Sequence, residues 1–257
     1  MSASPLLQTA LDAAAAARAV VLEHAGQHLD IAIKSDASPV TNADKAAERA
    51  IREHIRQRWP DHAIYGEEYG RSDDESDYLW LIDPIDGTKC FIRQLPFYSI
   101  QIALMHRGQL QLGVSCAPRM DELAWAERGA GAYLNGQRLT VGTVTDLQQA
   151  YLSTGNLKWP LDHQRWQALS RLYSAVHLAR GYGDYFHYHR LAAGQLDGVL
   201  EQGVNILDIA ALAVIVQEAG GVFTDIDGNP PTLETTSVIA AGTPELHQQI
   251  YSIMHHA

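Results

Sequence analysis

The sequence predicts an α/β (α+β) chain built in layers, and three observations carry that reading. Stretches with helical caps and apolar periodicity alternate with short β-branched and aromatic runs bounded by turn residues. The first half holds two helices followed by a strand-rich, mostly antiparallel region, whereas the second half alternates strand and helix. With 257 residues, 46% of them hydrophobic, the chain can bury a substantial core as one large domain or two packed halves.

Ser4 and Pro5 read as the N-cap and first residue of a helix of about twenty residues ending near Gly26. "IAIKSDASPV" follows as a strand edge and a loop. Thr41, with Asp44 three residues on, resembles a capping box in which Asp replaces Glu, and opens a helix stopped by Pro60. "AIYGEE" is a short strand running into two acids, and "YLWLIDP" is the next strand. "FYSIQIALMHRGQLQLGVSCAP" reads as two strands joined at Arg107-Gly108. Asn135-Gly136 marks a further hairpin. Beyond residue 145 come a strand "YLSTG", a helix "HQRWQALSRLYSA", a strand "VHLARGYG", a helix "DYFHYHRLAAGQ" and a strand "LDGVLEQG". The apolar helix "LDIAALAVIVQEAGG" stops at Gly220-Gly221. Strands "VFTDIDGNP" and "SVIAAG" precede a last helix capped at Thr243. The shift in rhythm divides the chain into 1–145 and 146–257, with no linker that would make the halves independent.

Formal net charge is -11 with no Lys/Arg-rich run, which argues against nucleic acid or anionic membrane as partner. Bound divalent cations could cancel that acidity locally. Cys90 and Cys116 have no CxxC neighbour, so a Cys-based zinc site is excluded and two free thiols in a reducing cytoplasm are expected. The N-terminal stretch lacks a basic region, and Asp12, Arg18 and Glu23 interrupt its apolar run. It is expected to be neither signal peptide nor membrane span.

The chemistry concentrates in "LWLIDPIDGTKCF", Leu79 to Phe91, where an apolar strand runs into Asp83 and Asp86. Pro84 lacks an N–H, so the strand is expected to stop there and turn. A turn can gather Asp83, the Ile85 carbonyl and Asp86 as three hard oxygen ligands, which suit Mg²⁺ better than zinc. The plain alternative is a strand-end turn with two solvated acids. Glu67 and Glu68 end the preceding strand, and Asp208 sits at the start of the most apolar helix, where a carboxylate is costly unless paired, capping or metal-bound. Asp44 has a capping role as its alternative. The Gly87 and Thr88 amides could cradle a phosphate, and the Thr88 hydroxyl could orient a water.

These residues resemble the inositol monophosphatase superfamily of Mg²⁺-dependent, lithium-sensitive phosphomonoesterases. "YGEE", "WLIDPIDGT" and "LDIAALAVIVQEAGG" fall in that family's order and spacing across nearly the whole chain. The resemblance implies a layered αβαβα sandwich of the inositol monophosphatase / fructose bisphosphatase type and a homodimer. It implies two or three Mg²⁺ held by Glu67, Asp83, the Ile85 carbonyl, Asp86 and Asp208. Asp44, Glu67 and Thr88 would serve the attacking water, and Gly87 and Thr88 the phosphate. Lys34 matches a basic position near the metals, and Glu201 a position that bonds substrate hydroxyls. Leu207 stands where the family usually has Trp, which puts the setting of the Asp208 loop in question.

"DGTKCF" departs from the type usual in inositol monophosphatases; Lys89 after the Thr resembles the histidinol-phosphate phosphatases and the bisphosphate nucleotidases. "ARGYGDYFHYHRLAAGQLDGVLE" resembles the histidinol-phosphatase branch. Asp184 and Glu201 would set negative charge against a substrate amine or imidazolium, with Lys89 beside them; Asp184 as a helix N-cap is the alternative. His187 and His189 point to different sides of their helix and read as surface or interface residues, not metal ligands. The expected function is hydrolysis of a small phosphate monoester, histidinol phosphate in histidine biosynthesis. An inositol, sugar or nucleotide phosphatase is the second enzyme reading, and a regulatory binding protein on the same fold the third.

Overall fold

The structure, a computed structural model, describes residues 3–35, 37–156 and 163–255. Helix α1 (Pro5–His24) is capped by the Ser4 side chain, which accepts from the Leu7 amide. By length and composition it could cross a membrane, but its stripe Leu7, Ala10, Ala14, Ala17 and Val21 is buried in the first core. Strands β1 (Ile31–Ile33) and β2 (Pro39–Thr41) pair as a small antiparallel ladder where a strand edge and loop were expected. Helix α2 (Asn42–Arg58) opens on the expected capping box: Thr41 accepts the Asp44 amide and Asp44 accepts the Thr41 amide.

Strands β3 (Ala63–Gly66), β4 (Gly70–Arg71) and β5 (Tyr78–Asp86) follow. A short helix α3 (Thr88–Ile92) leads to β6 (Ser99–His106), β7 (Gln109–Ala117), β8 (Glu122–Glu127), β9 (Gly131–Leu134) and β10 (Gln137–Arg138). They form one eight-stranded sheet in the order β10-β9-β8-β7-β6-β5-β3-β4. The hairpins at Arg107-Gly108 and Asn135-Gly136 hold all four residues at positive φ, as two-residue turns require.

Strand β5 corrects one expectation: it runs through Pro84 to Asp86. Asp83 pairs with Gln101 and Asp86 with Ser99, so three steps on β5 face two on β6. The bulge leaves Pro84 outside the ladder, where its missing N–H breaks no bond. It also turns consecutive acids toward the same end of the sheet.

The second sheet is β12-β11-β13-β15-β14, built from β11 (Tyr151–Gly155), β12 (Leu178–Arg180), β13 (Gly198–Gln202), β14 (Val222–Thr224) and β15 (Ser237–Ala241). Between its strands run α4 (His163–Ala175), α5 (Asp184–Ala192) and α6 (Ile206–Glu218), and α7 (Pro244–His255) closes the described chain. Period-two alternation sorts the strands into cores. Trp80 and Ile82 face α1 and α2, while Leu79 and Leu81 face α5 and α6. Leu152, Leu200 and Ile239 face α4 and α7. The layers therefore run helix, sheet, helix, sheet, helix.

Helix α6 is apolar on all sides because it lies between two sheets. It crosses β7 at Gly113, where a Cβ would stand 2.4 Å from the Ala211 carbonyl oxygen. Gly113→Ala is therefore expected to destabilise the protein by about 1–3 kcal/mol through overpacking against rigid backbone, read as a lower urea midpoint at unchanged m-value.

Candidate active site

Parallel pairing of β3 with β5 brings two acidic strand ends side by side. The Glu67 amide donates to the Ile82 carbonyl at 3.1 Å, so Glu67 follows β3 just where Asp83 follows Ile82 on β5. Helix α6 arrives from the central layer with Asp208 in its first turn. Asn205 caps that turn, and Asp208 accepts both the Asn205 amide at 2.8 Å and its side-chain nitrogen at 2.9 Å. Leu207, at the position of the family's usual Trp, is buried in the central core.

Carboxylate oxygens of Asp83, Asp86 and Asp208 all lie within 4.8 Å of one another. Asp83 is 2% exposed and Asp86 9%. Burial first, then the charges of Glu67 and Asp86, pushes the Asp83 carboxyl well above the ordinary range. Burial, then Asp184 and Asp208, does the same to Asp86. Burial pushes Asp208 up to about 7 against the opposing Asn205 amide. Ser99 and Gln101 support the cluster from β6: Gln101 donates to Ser99 at 2.8 Å and Ser99 to Asp86 at 3.3 Å.

Buried like charges at this spacing are held apart from water and against each other, a large cost that one cation removes. The donors are all oxygen, with neither Cys nor His among them, which fits a hard divalent ion. Oxygens opposite each other across Mg²⁺ stand about 4 Å apart, so small side-chain rotations close the set. The Ile85 carbonyl accepts the Thr88 hydroxyl at 3.0 Å and keeps a second lone pair.

Thr88 Oγ1 also lies 3.1 Å from Asp44 Oδ1. Asp44 thus caps α2 and faces Thr88 at once, and the two readings of it from sequence are not exclusive. Burial raises its proton affinity, opposed by hydrogen bonds from Thr41 and Thr88. Gly87 adopts φ 85°, and a Cβ there would meet the Phe97 carbonyl oxygen at 2.7 Å. The Gly87 and Thr88 amides open α3 and have no intrahelical acceptor. Lys34 bridges Glu67 at 2.9 Å and Glu68 at 2.7 Å; burial opposes its charge, but both carboxylates raise its pKa on balance.

A small cavity of about 30 Å³ adjoins the cluster, lined among others by Asp86, Asn156, Asp184, Tyr188, Glu201 and Asp208. Burial, then the charge of Glu201, pushes Asp184 up to about 6. Gly183, not Asp184, is the N-cap position of α5, and no side-chain cap bond forms there. Lys89 is exposed on α3 and acts on Asp184 through its charge alone. A larger cleft between Arg128, Glu218 and Pro230 shares no residue with this cluster.

His187 and His189 correct a second expectation: both are fully buried. They do point to different sides. His187 bonds Glu201 and Ser153, and His189 bonds Glu122 and Ser115. Their partners sit on distant strands, which helix periodicity cannot show.

Two further residues went unread in the sequence. Glu48 is buried beside Gly66 and accepts the Glu68 amide at 2.6 Å and the Tyr69 amide at 3.3 Å, fixing the loop that carries Glu67. A Cβ on Gly66 would stand 2.1 Å from its Oε1. Its place four residues after Asp44, in the stripe with Ile51 and Ile55, was the available signal. Asn156 lines the cavity at φ 50°, with no motif to mark it.

A sequence model described as the inositol monophosphatase family matches residues 2–257. A histidinol-phosphatase of Chlorobaculum parvum is 34% identical over 93% of this chain and 92% of its own. A Nus factor SuhB of Pasteurella multocida is 36% identical over 96% and 94%. The solved structure of a Thermotoga maritima IMPase superposes with TM-score 0.86 at 30% identity, covering 98% of this chain and 97% of that one.

Mg²⁺ at about one hundred times its dissociation constant is expected to stabilise the fold by about 2.7 kcal/mol, seen as a rise in thermal midpoint. In Asp86→Asn most of that rise is expected to vanish, since the substitution removes a ligand charge and itself relieves repulsion.

Proposed function

Because this chain belongs to the inositol monophosphatase family, we propose that it is a Mg²⁺-dependent phosphomonoesterase whose substrate is histidinol phosphate. The observation that carries the reading is the cavity in which Asp184 and Glu201 adjoin the Asp83–Asp86–Asp208 cluster. On one side of this opening Asp86 and Asp208 belong to the acid cluster, and on the other Asp184 and Glu201 set negative charge against a positively charged leaving group.

Bound Mg²⁺ would supply positive charge to the phosphate oxygens and lower the pKa of a nearby water. Glu67, Asp83, the Ile85 carbonyl, Asp86 and Asp208 would hold two or three such ions. The chain's own groups do the rest. The Gly87 and Thr88 amides orient the phosphate. Thr88 Oγ1 accepts the proton of the attacking water and passes its own to Asp44 Oδ1, whose raised proton affinity suits it as terminal base. The water attacks phosphorus directly, and no side chain becomes phosphorylated.

Asp184 and Glu201 would select the departing alcohol. Placed beside Glu201, the Asp184 carboxylate is unfavourable unless a cation shares the cavity, and an amino alcohol brings one. A neutral polyol brings none. Relatives named histidinol-phosphatase support this choice. The solved IMPase supports inositol phosphate as the second reading, with Glu201 then bonding hydroxyls. Relatives named Nus factor suggest a binding role, but the chain keeps the full acidic set and carries net charge -11. The same reading places a homodimer in the cytoplasm, in histidine biosynthesis.

Phosphate release from histidinol phosphate is expected to need Mg²⁺ and to exceed release from inositol-1-phosphate at least about tenfold in kcat/KM. The reverse preference would sink the substrate and leave the phosphatase. Asp83→Asn is expected to lower turnover on either substrate at least about a hundredfold; near-normal rates would remove the metal assignment.

A further inference from the structure

Glu201 enters the cavity from the second sheet and is 2% exposed. Its Oε2 accepts from His187 Nε2 at 3.0 Å and from the Tyr188 hydroxyl at 2.8 Å. Its Oε1 has no hydrogen-bond partner among the described residues and lies against Gly155, where a Cβ would be 1.9 Å away. One oxygen is therefore fixed from behind, and the other takes no hydrogen bond from a described residue and packs against Gly155.

His187 takes no part in the phosphate chemistry, yet both its nitrogens are engaged. A carboxylate oxygen only accepts, so Nε2 carries the hydrogen. Its Nδ1 lies 3.2 Å from the Ser153 hydroxyl, within hydrogen-bond distance. Ser153 Oγ in turn accepts from the Tyr182 amide at 3.3 Å. Hydrogen bonds thus connect Tyr182 to Ser153, Ser153 to His187 and His187 to Glu201.

The start of that chain matters. Tyr182 precedes Gly183 and Asp184, which hold φ of 72° and 48°. A non-glycine residue at positive φ persists only where its surroundings fix it. The relay thus ties the turn presenting Asp184 to the carboxylate facing it.

We propose that His187 is a positioning residue that fixes Glu201 and the Asp184 turn at one separation, and so sets the enzyme's choice between cationic and neutral leaving groups. The proposal rests on the reading that the Asp184–Glu201 cavity receives the leaving group. With the relay cut, Glu201 keeps only Tyr188 and is free to rotate away from its neighbouring acid.

The test compares His187→Leu, which deletes the donor, with His187→Gln, whose amide can still donate to Glu201. In His187→Leu, KM for histidinol phosphate is expected to rise roughly tenfold while kcat stays within about twofold, and the preference over inositol-1-phosphate to fall roughly tenfold. His187→Gln is expected to restore most of it. Adding His187→Leu to Glu201→Gln is expected to cost no more than Glu201→Gln alone. Additive losses, or equal losses on both substrates, would overturn the proposal. Should the wild type prefer inositol-1-phosphate, the histidinol reading fails, and the same double-mutant cycle on that substrate still decides the positioning role. Should His187→Leu fail to fold, the imidazole ¹⁵N resonances missing from His187→Gln decide it: hydrogen on Nε2 is expected in the wild type, and a ring with hydrogen on Nδ1 alone refutes the relay.

Discussion

Mutual repulsion among buried carboxylates is the constraint around which this protein is arranged. Asp83, Asp86 and Asp208 approach within 4.8 Å, and Glu67 adds a fourth charge. Such a group is tolerated only where the backbone leaves no easier arrangement. Three devices enforce it here. Parallel pairing of β3 and β5 aligns Glu67 with Asp83. The bulge across Pro84 aims Asp86 back at its neighbour. The Asn205 cap ties the Asp208 carboxylate to its own backbone.

The layered architecture makes those devices rigid. The acids come from three elements, Glu67 after β3, Asp83 and Asp86 on β5 and Asp208 on α6, and close approaches fix the framework around them. Gly66 admits Glu48, Gly113 admits the backbone of α6, and Gly155 admits Glu201. These glycines do not confer mobility; they are places where another group occupies the volume of a side chain. The framework is therefore stiffest around the groups that repel one another, as preorganised electrostatics requires.

Much of this was legible in the sequence because it is local. The Thr41–Asp44 cap, the Arg107-Gly108 and Asn135-Gly136 turns and the Gly stop after α6 depend on chemistry within a few residues. The acids of "YGEE" and "DPIDGT" were legible because they end apolar strands. What stayed hidden depends on partners far along the chain. Pro84 remains in its strand only because β6 offers a bulged register. His187 and His189, two residues apart and facing different sides, read as surface or interface residues, and it is Glu201, Ser153, Glu122 and Ser115 that satisfy them inside. Glu48 lay in an apolar stripe as an apparent defect until the loop amides it accepts were in view.

The position of α6 has a consequence for how the protein comes into being. This helix lies between both sheets, yet its first turn supplies Asp208 to a cluster whose other members lie on the order of a hundred residues earlier. During synthesis the first sheet can form while the later half is still being made. At that stage its strand ends carry an open, incomplete acid set with weak hold on any ion. If that set holds Mg²⁺ as proposed, its completion would wait for α6 to dock between the sheets. A chain arrested before α6 would lack both Asp208 and the helix that joins the two sheets.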